Sequence, residues 1–148
     1  MTKSETQEAI KKAKEAHELQ MQKIEAAING KEIDNPTAIN KTECDFGKWL
    51  YDDKNNIQEI IGTQFFKTLD IEHEKWHTEY TKIYHILFSG NNKKGLLSRF
   101  LGKKSIDPME LDKVKLYYRD LQETTSRLLK ILASSERRIS ALPESKFH

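Results

Sequence analysis

The 148 residues contain one cysteine, three prolines and six glycines. A single cysteine closes no internal disulfide, which excludes a disulfide-stapled scaffold and points to a reducing compartment. So few breakers, with 32% charged and 36% hydrophobic residues, argue against a sheet-rich fold and for long amphipathic helices. No apolar run approaches the roughly 20 residues that span a membrane. The opening Met1-Thr2-Lys3-Ser4-Glu5 lacks the apolar core of a signal peptide. A soluble, cytoplasmic protein is therefore expected. Neither sign of charge dominates: the net charge of +2 argues against a dedicated nucleic-acid binder.

The length suits one domain, residues 1–148, and the hydrophobic spacing predicts an all-α fold. The expected architecture is an antiparallel four-helix bundle with a short extra helix and a long C-terminal helix. The first helix spans about 3–29 and ends at Asn29-Gly30. A polar connection with Asn35-Pro36 follows. A second helix is expected over about 41–54, opened by Asn40 as N-cap with Glu43 as its capping-box partner. A short piece near 56–62 precedes a third helix over about 64–88. Its apolar face includes Leu69, Trp76, Tyr80, Ile83 and Leu87. Residues 89–106 form a loop with Lys93, Lys94, Arg99, Lys103 and Lys104. It reads either as a solvated connection or as a docking patch for an acidic partner or membrane surface. Asp107-Pro108-Met109-Glu110 then starts the last helix, 107–141, with an acidic cap and proline at the first helical position. Leu111, Val114, Tyr118, Leu121, Thr125, Leu128, Leu132 and Ser135 repeat at threes and fours along it. Such a helix is roughly 50 Å long, so its end is expected to project or to pair in a homodimer.

Against this bland background four residues stand out. His73 and His77 are one helical turn apart and share a face. His17 lies in an apolar stripe with Ile10, Met21, Ile24 and Ile28, where an imidazole needs a partner. Cys44, the lone cysteine, is expected in the first turns of the second helix, where the helix dipole favours a thiolate. One thiolate and three imidazoles are a full set for a closed tetrahedral zinc site. Asp45, Glu72 and Glu74 are candidate acceptors for the ligand N–H groups. His85, eight positions beyond His77, lies some 12 Å further along the helix and is not expected to ligate. Gly47, one turn after Cys44, suggests a close crossing or access to the sulfur.

The segment Cys44-Asp45-Phe46-Gly47-Lys48-Trp49 resembles the Cys-x-hydrophobic-Gly-x-aromatic motif of the chemoreceptor zinc-binding domain family. His17-Glu18-Leu19 resembles the family's first motif, and His73-x-x-x-His77 its third. The order agrees, with 26 residues between His17 and Cys44 and 28 between Cys44 and His73. The resemblance covers about 10–88. It implies an all-helical bundle with a zinc ion on His17, Cys44, His73 and His77. It further implies a regulator of chemoreceptors, diguanylate cyclases or other signalling proteins. Some members respond to zinc itself, and others sense hypochlorous acid or related oxidants through the zinc-bound cysteine, here Cys44.

Two other classes compete with this sensory reading. A di-iron or haem redox bundle would use histidine-rich helices, but only Asp70-Ile71-Glu72-His73 places a histidine three after an acid. A metal-free structural dimerisation bundle would bury the histidines as hydrogen-bonded core. Catalysis is not expected: a closed site leaves no position for substrate, and neither a phosphate loop nor a nucleophile–base set is visible.

Overall fold

The computed structural model describes residues 1–89 and 107–147, and among these every regular element is helical. The first helix, α1 (Lys3–Ile28), is opened by a capping box. The Thr2 hydroxyl accepts from Glu5 N at 3.1 Å while the Glu5 carboxylate accepts from Thr2 N at 2.7 Å. It stops where Gly30 takes φ 86°, the left-handed turn that glycine adopts without strain.

The chain then runs without regular structure to residue 44, and Thr37 ties it to two helices at once. Thr37 N donates to the Gln20 side chain (2.9 Å), and the Tyr80 hydroxyl donates to Thr37 O (3.0 Å). These bonds explain why the buried Gln20 and Tyr80 sit on otherwise apolar faces.

The second helix is shorter than expected: α2 is Asp45–Leu50, not 41–54. The predicted Asn40–Glu43 turn does form, with Glu43 N donating to Asn40 O and the Asn40 amide donating to the Glu43 carboxylate. It does not propagate, because Cys44 takes an extended backbone (φ −72°, ψ 155°) and itself becomes the N-cap. Two cap signals four residues apart compete, and the later one starts the helix. After a 3₁₀ turn at Asp53–Asn55 comes α3 (Ile57–Ile61). Gly62, at φ 92°, swings the chain into α4 (Thr63–Tyr84), which ends in a single π turn at His85–Ser89.

The last helix, α5 (Pro108–Ala141), begins at the expected signal, with the Asp107 carboxylate accepting from Met109 N at 3.1 Å. It lies antiparallel to both α1 and α4. Tyr118 faces Met21 and Glu136 pairs with Lys14 along α1. Along α4, Thr125 accepts from the Trp76 indole (2.8 Å) and Arg127 pairs with Glu72. Because α5 serves two neighbours, its buried stripe widens to include Thr124, and it runs on in the same repeat to Ile139. Of the two expected fates, projection or pairing in a homodimer, its C-terminal end does not take the first. The start of α1 covers it, and Lys3 Nζ donates to the last carbonyls, Ser140 O and Leu142 O, at 2.8 Å each. A cation there complements the helix dipole. Phe147 tucks back into the core. The basic stretch 93–104 and His148 lie outside the described residues.

Candidate metal centre

Three elements converge on one point. His17 comes from the middle of α1, His73 and His77 from successive turns of α4, and Cys44 from the cap of α2. All four are buried, with 0–7% of their surface exposed. One nitrogen from each imidazole lies within 4.8 Å of the other two. His73 Nε2 is 3.1 Å from His77 Nε2 and 3.4 Å from Cys44 Sγ. With zinc–nitrogen bonds of about 2.0 Å and zinc–sulfur bonds of about 2.3 Å, a tetrahedral site has N–N edges of about 3.3 Å and N–S edges of about 3.5 Å. Both measured edges are close to these values. The sulfur meets the imidazole triangle on its His73 side.

The outer nitrogens decide what the inner ones are. His17 Nδ1 donates to Ala13 O at 2.7 Å, and His77 Nδ1 donates to Ile39 O at 2.8 Å. A carbonyl only accepts, so both protons sit on Nδ1. His73 Nδ1 is 3.2 Å from the Tyr51 hydroxyl, whose own proton goes to the Asp70 carboxylate at 2.6 Å. The Tyr51 oxygen is therefore the acceptor for His73 Nδ1–H. In the neutral rings Nε2 therefore carries no proton, and one nitrogen of each buried ring lies within 4.8 Å of the other two. Lone pairs 3.1 Å apart repel, and a cation among them turns that repulsion into ligation. The residues present thus fit a zinc ion, supplying a three-nitrogen, one-sulfur donor set.

The surroundings keep the rings neutral. Burial holds the His17 imidazole down at about 4, with a nearby His77 acting in the same direction against the Ala13 hydrogen bond. Burial likewise lowers His73 and His77. Phe46 and Trp76 wall the rings, with Trp76 edge-on to His17 at 4.8 Å and Phe46 edge-on to His73 at 4.9 Å. Cys44 receives the Gly47 N–H at 3.2 Å, as expected at a helix start, but burial outweighs that donor and raises the thiol. The protonated sulfur donates to Lys41 O at 3.4 Å. A metal ion would displace that proton.

These shifts predict an acid-sensitive metal-free protein. The folded-state pKa values of the three histidines lie below the ordinary 6.5. Below pH 6.5 the unfolded chain therefore takes up protons that the folded chain refuses. Stability is fully present above about 6.5 and falls as the pH drops, by about 1.4 kcal/mol per pH unit for each histidine kept neutral. For His17 the loss is complete near pH 4. Urea midpoints at pH 7.5 and 5.5 check this, and equal midpoints would refute it.

The expected outer acceptors are not where the ligand N–H groups point. Asp45 is exposed, Glu72 accepts from Arg127 at 3.3 Å, and Glu74 lies 3.5 Å from Lys41. The actual acceptors are two backbone carbonyls and Tyr51. Asp70, one turn before His73, stands behind Tyr51 and is pinned by Lys41 Nζ at 2.8 Å. Burial opposes both charges of that pair, but the hydrogen bond between them wins: Lys41 is raised and Asp70 lowered. Burial and then Asp70 push the Tyr51 phenol far up, so it stays a donor. The i, i+3 spacing of Asp70 and His73 was a readable signal; that of Tyr51 was not. Gly47 answers to a close approach: a Cβ there would stand 1.6 Å from Lys41 O. His85 packs edge-on to Tyr84, away from the cluster. A cavity of 320 Å³, lined by Ile39, Lys41, Thr42, Glu74, His77 and Thr81 among others, reaches the His77 side of the centre.

No curated protein and no solved structure matches this chain. A family model does, that of the chemoreceptor zinc-binding domain, over residues 17–84. The matched span opens on His17 itself and encloses Cys44, His73 and His77, together with the Tyr51 and Asp70 that support them. Residues 17–84 thus match the chemoreceptor zinc-binding domain family, and the imidazole cluster of His17, His73 and His77, with Cys44 beside His73, falls within that match as a candidate zinc-binding site.

Proposed function

We propose that the chain is a sensory module whose signal is the state of one zinc ion on His17 Nε2, Cys44 Sγ, His73 Nε2 and His77 Nε2. The observation that carries this is the convergence of three bare imidazole lone pairs beside a single thiol. When bound, zinc supplies the charge that keeps Cys44 a thiolate and joins α1, α2 and α4. The donor set favours zinc over a di-iron site, because among the described residues no carboxylate joins the imidazole cluster, and Asp70, behind Tyr51, is engaged by Tyr51 and Lys41. It is also a poor metal-free core, since the Nε2 atoms of His73 and His77 would face each other at 3.1 Å with no proton between them.

Two inputs fit the site. Falling zinc would empty it. A two-electron oxidant such as hypochlorous acid would act on Cys44: the sulfur forms an S–O bond, the O–Cl bond breaks, and chloride leaves with the electron pair. The resulting sulfenic acid is a weaker ligand than the thiolate. Either event frees the cap of α2, because Cys44 both binds the metal and receives the Gly47 N–H. The change would reach a partner signalling protein, or a second copy in a homodimer, in the cytoplasm. The role is regulatory rather than enzymatic. Among the described residues no helix is long and apolar enough to cross a membrane.

Metal content by plasma mass spectrometry tests the reading directly. About one zinc per chain is expected in wild type purified without added metal, and well under that in Cys44→Ala. A wild type without zinc, or a Cys44→Ala protein with full zinc and unchanged resistance to chelator, would overturn it.

A further inference from the structure

Three of the four proposed ligands lean on one short stretch of irregular backbone. Ile39 O accepts from His77 Nδ1, Lys41 O accepts from Cys44, and Lys41 Nζ grips the Asp70 carboxylate that holds the Tyr51 hydroxyl against His73 Nδ1. Lys41 Nζ also lies over the Tyr51 ring, 5.3 Å from its centroid. His17 and His77 use fixed backbone carbonyls to set their tautomers. His73 alone depends on side chains, and its inner nitrogen is the one nearest both the sulfur and another imidazole.

We propose that Tyr51, held by Asp70 and Lys41, is a positioning residue that fixes the His73 tautomer and so sets how tightly the centre holds its metal. This rests on the zinc reading above. The physical reason is proton placement. With the Tyr51 oxygen as acceptor, the His73 proton stays on Nδ1 and Nε2 is ready to ligate. Without that acceptor the better place for the proton is Nε2, where the bare His77 Nε2 accepts it at 3.1 Å. The metal must then expel a proton and rotate no ring, so the site keeps its shape and loses its readiness. Asp70 adds charge: it draws the Tyr51 proton and leaves the phenol oxygen a stronger acceptor. Lys41 keeps Asp70 in place and ties the arrangement to the strand of backbone that also anchors His77 and Cys44.

Tyr51→Phe removes one oxygen and keeps the ring that stacks on His73, 6.1 Å between centroids. It is the first test. Zinc affinity by competition with a chromophoric chelator is expected to fall about tenfold to a hundredfold. Asp70→Asn, nearly the same shape, is expected to fall by less, and the double variant by no more than Tyr51→Phe alone, since both act through one oxygen. The readout that a merely structural role would not move is the His73 tautomer. In metal-free, ¹⁵N-histidine-labelled protein, wild type should carry the proton on Nδ1 and Tyr51→Phe should carry it on Nε2, with the helical circular dichroism unchanged. Wild-type zinc affinity in Tyr51→Phe, or a His73 proton that stays on Nδ1, overturns the relay. If the wild type itself takes up no zinc, the zinc reading fails and this one with it; if it binds and the variants match it, only the relay fails.

Discussion

Chelation of the zinc-loaded protein is expected to lower its melting temperature by about 8–16 °C. A ligand that binds only the folded state at a free concentration a thousand times its Kd contributes about 4 kcal/mol. A chain of this size moves by about 2–4 °C for each kcal/mol. The donors come from α1, α2 and α4, and none of these elements gathers the four of them in an unfolded chain. The six residues of α2 are too few to be helical alone, so the element that bears the cysteine relies on the tertiary site. Differential scanning calorimetry with and without excess chelator measures the shift. A change under about 2 °C would mean that the cluster is ordinary core and that the metal, if present, ties nothing together.

Gly47→Ala is the second large effect, and here two physical terms point in opposite directions. On helix propensity alone alanine should stabilise α2 by about 1 kcal/mol. Space decides otherwise, because the new Cβ would stand 1.6 Å from Lys41 O and 2.7 Å from its carbonyl carbon. These are backbone atoms and cannot swing aside as a side chain can. Either α2 or the 39–42 turn must move, and that turn carries the anchors of His77, Cys44 and Asp70. The expected loss is about 3 kcal/mol in the metal-free protein, with zinc affinity falling as well. Urea denaturation and a chelator competition read the two separately. A variant as stable as wild type would show that the turn yields freely and does not brace the centre.

Local chemistry was legible wherever a signal acted within one turn. Asp107-Pro108 starts α5, Asn29-Gly30 ends α1, and the four-residue spacing of His73 and His77 puts both rings on one side of α4. The outer carboxylate was misplaced for a geometric reason. Glu72 and Glu74 are neighbours of His73 in sequence, but each is about 100° round the helix from it, whereas Asp70, three residues back, shares its face. The second helix was mistimed because Asn40 and Cys44 both offer a cap, and nothing within the segment says which prevails. The sulfur is drawn into the core beside His73, and that placement, which needs α4 to be present, gives Cys44 its extended backbone.

The sequence by itself determined that the chain is helical, that it holds the residue types a zinc set would need, and which two of them share a helix face. These follow from composition and from periodicities shorter than two turns. Only the tertiary structure decided that the imidazoles turn their bare nitrogens inward, that Tyr51 rather than a glutamate stands behind His73, and that Gly47 makes room for Lys41 O. A ring's inner nitrogen is set by what its outer nitrogen meets. For His77 and His73 that partner comes from another element, 38 and 22 positions away, where no local pattern reaches.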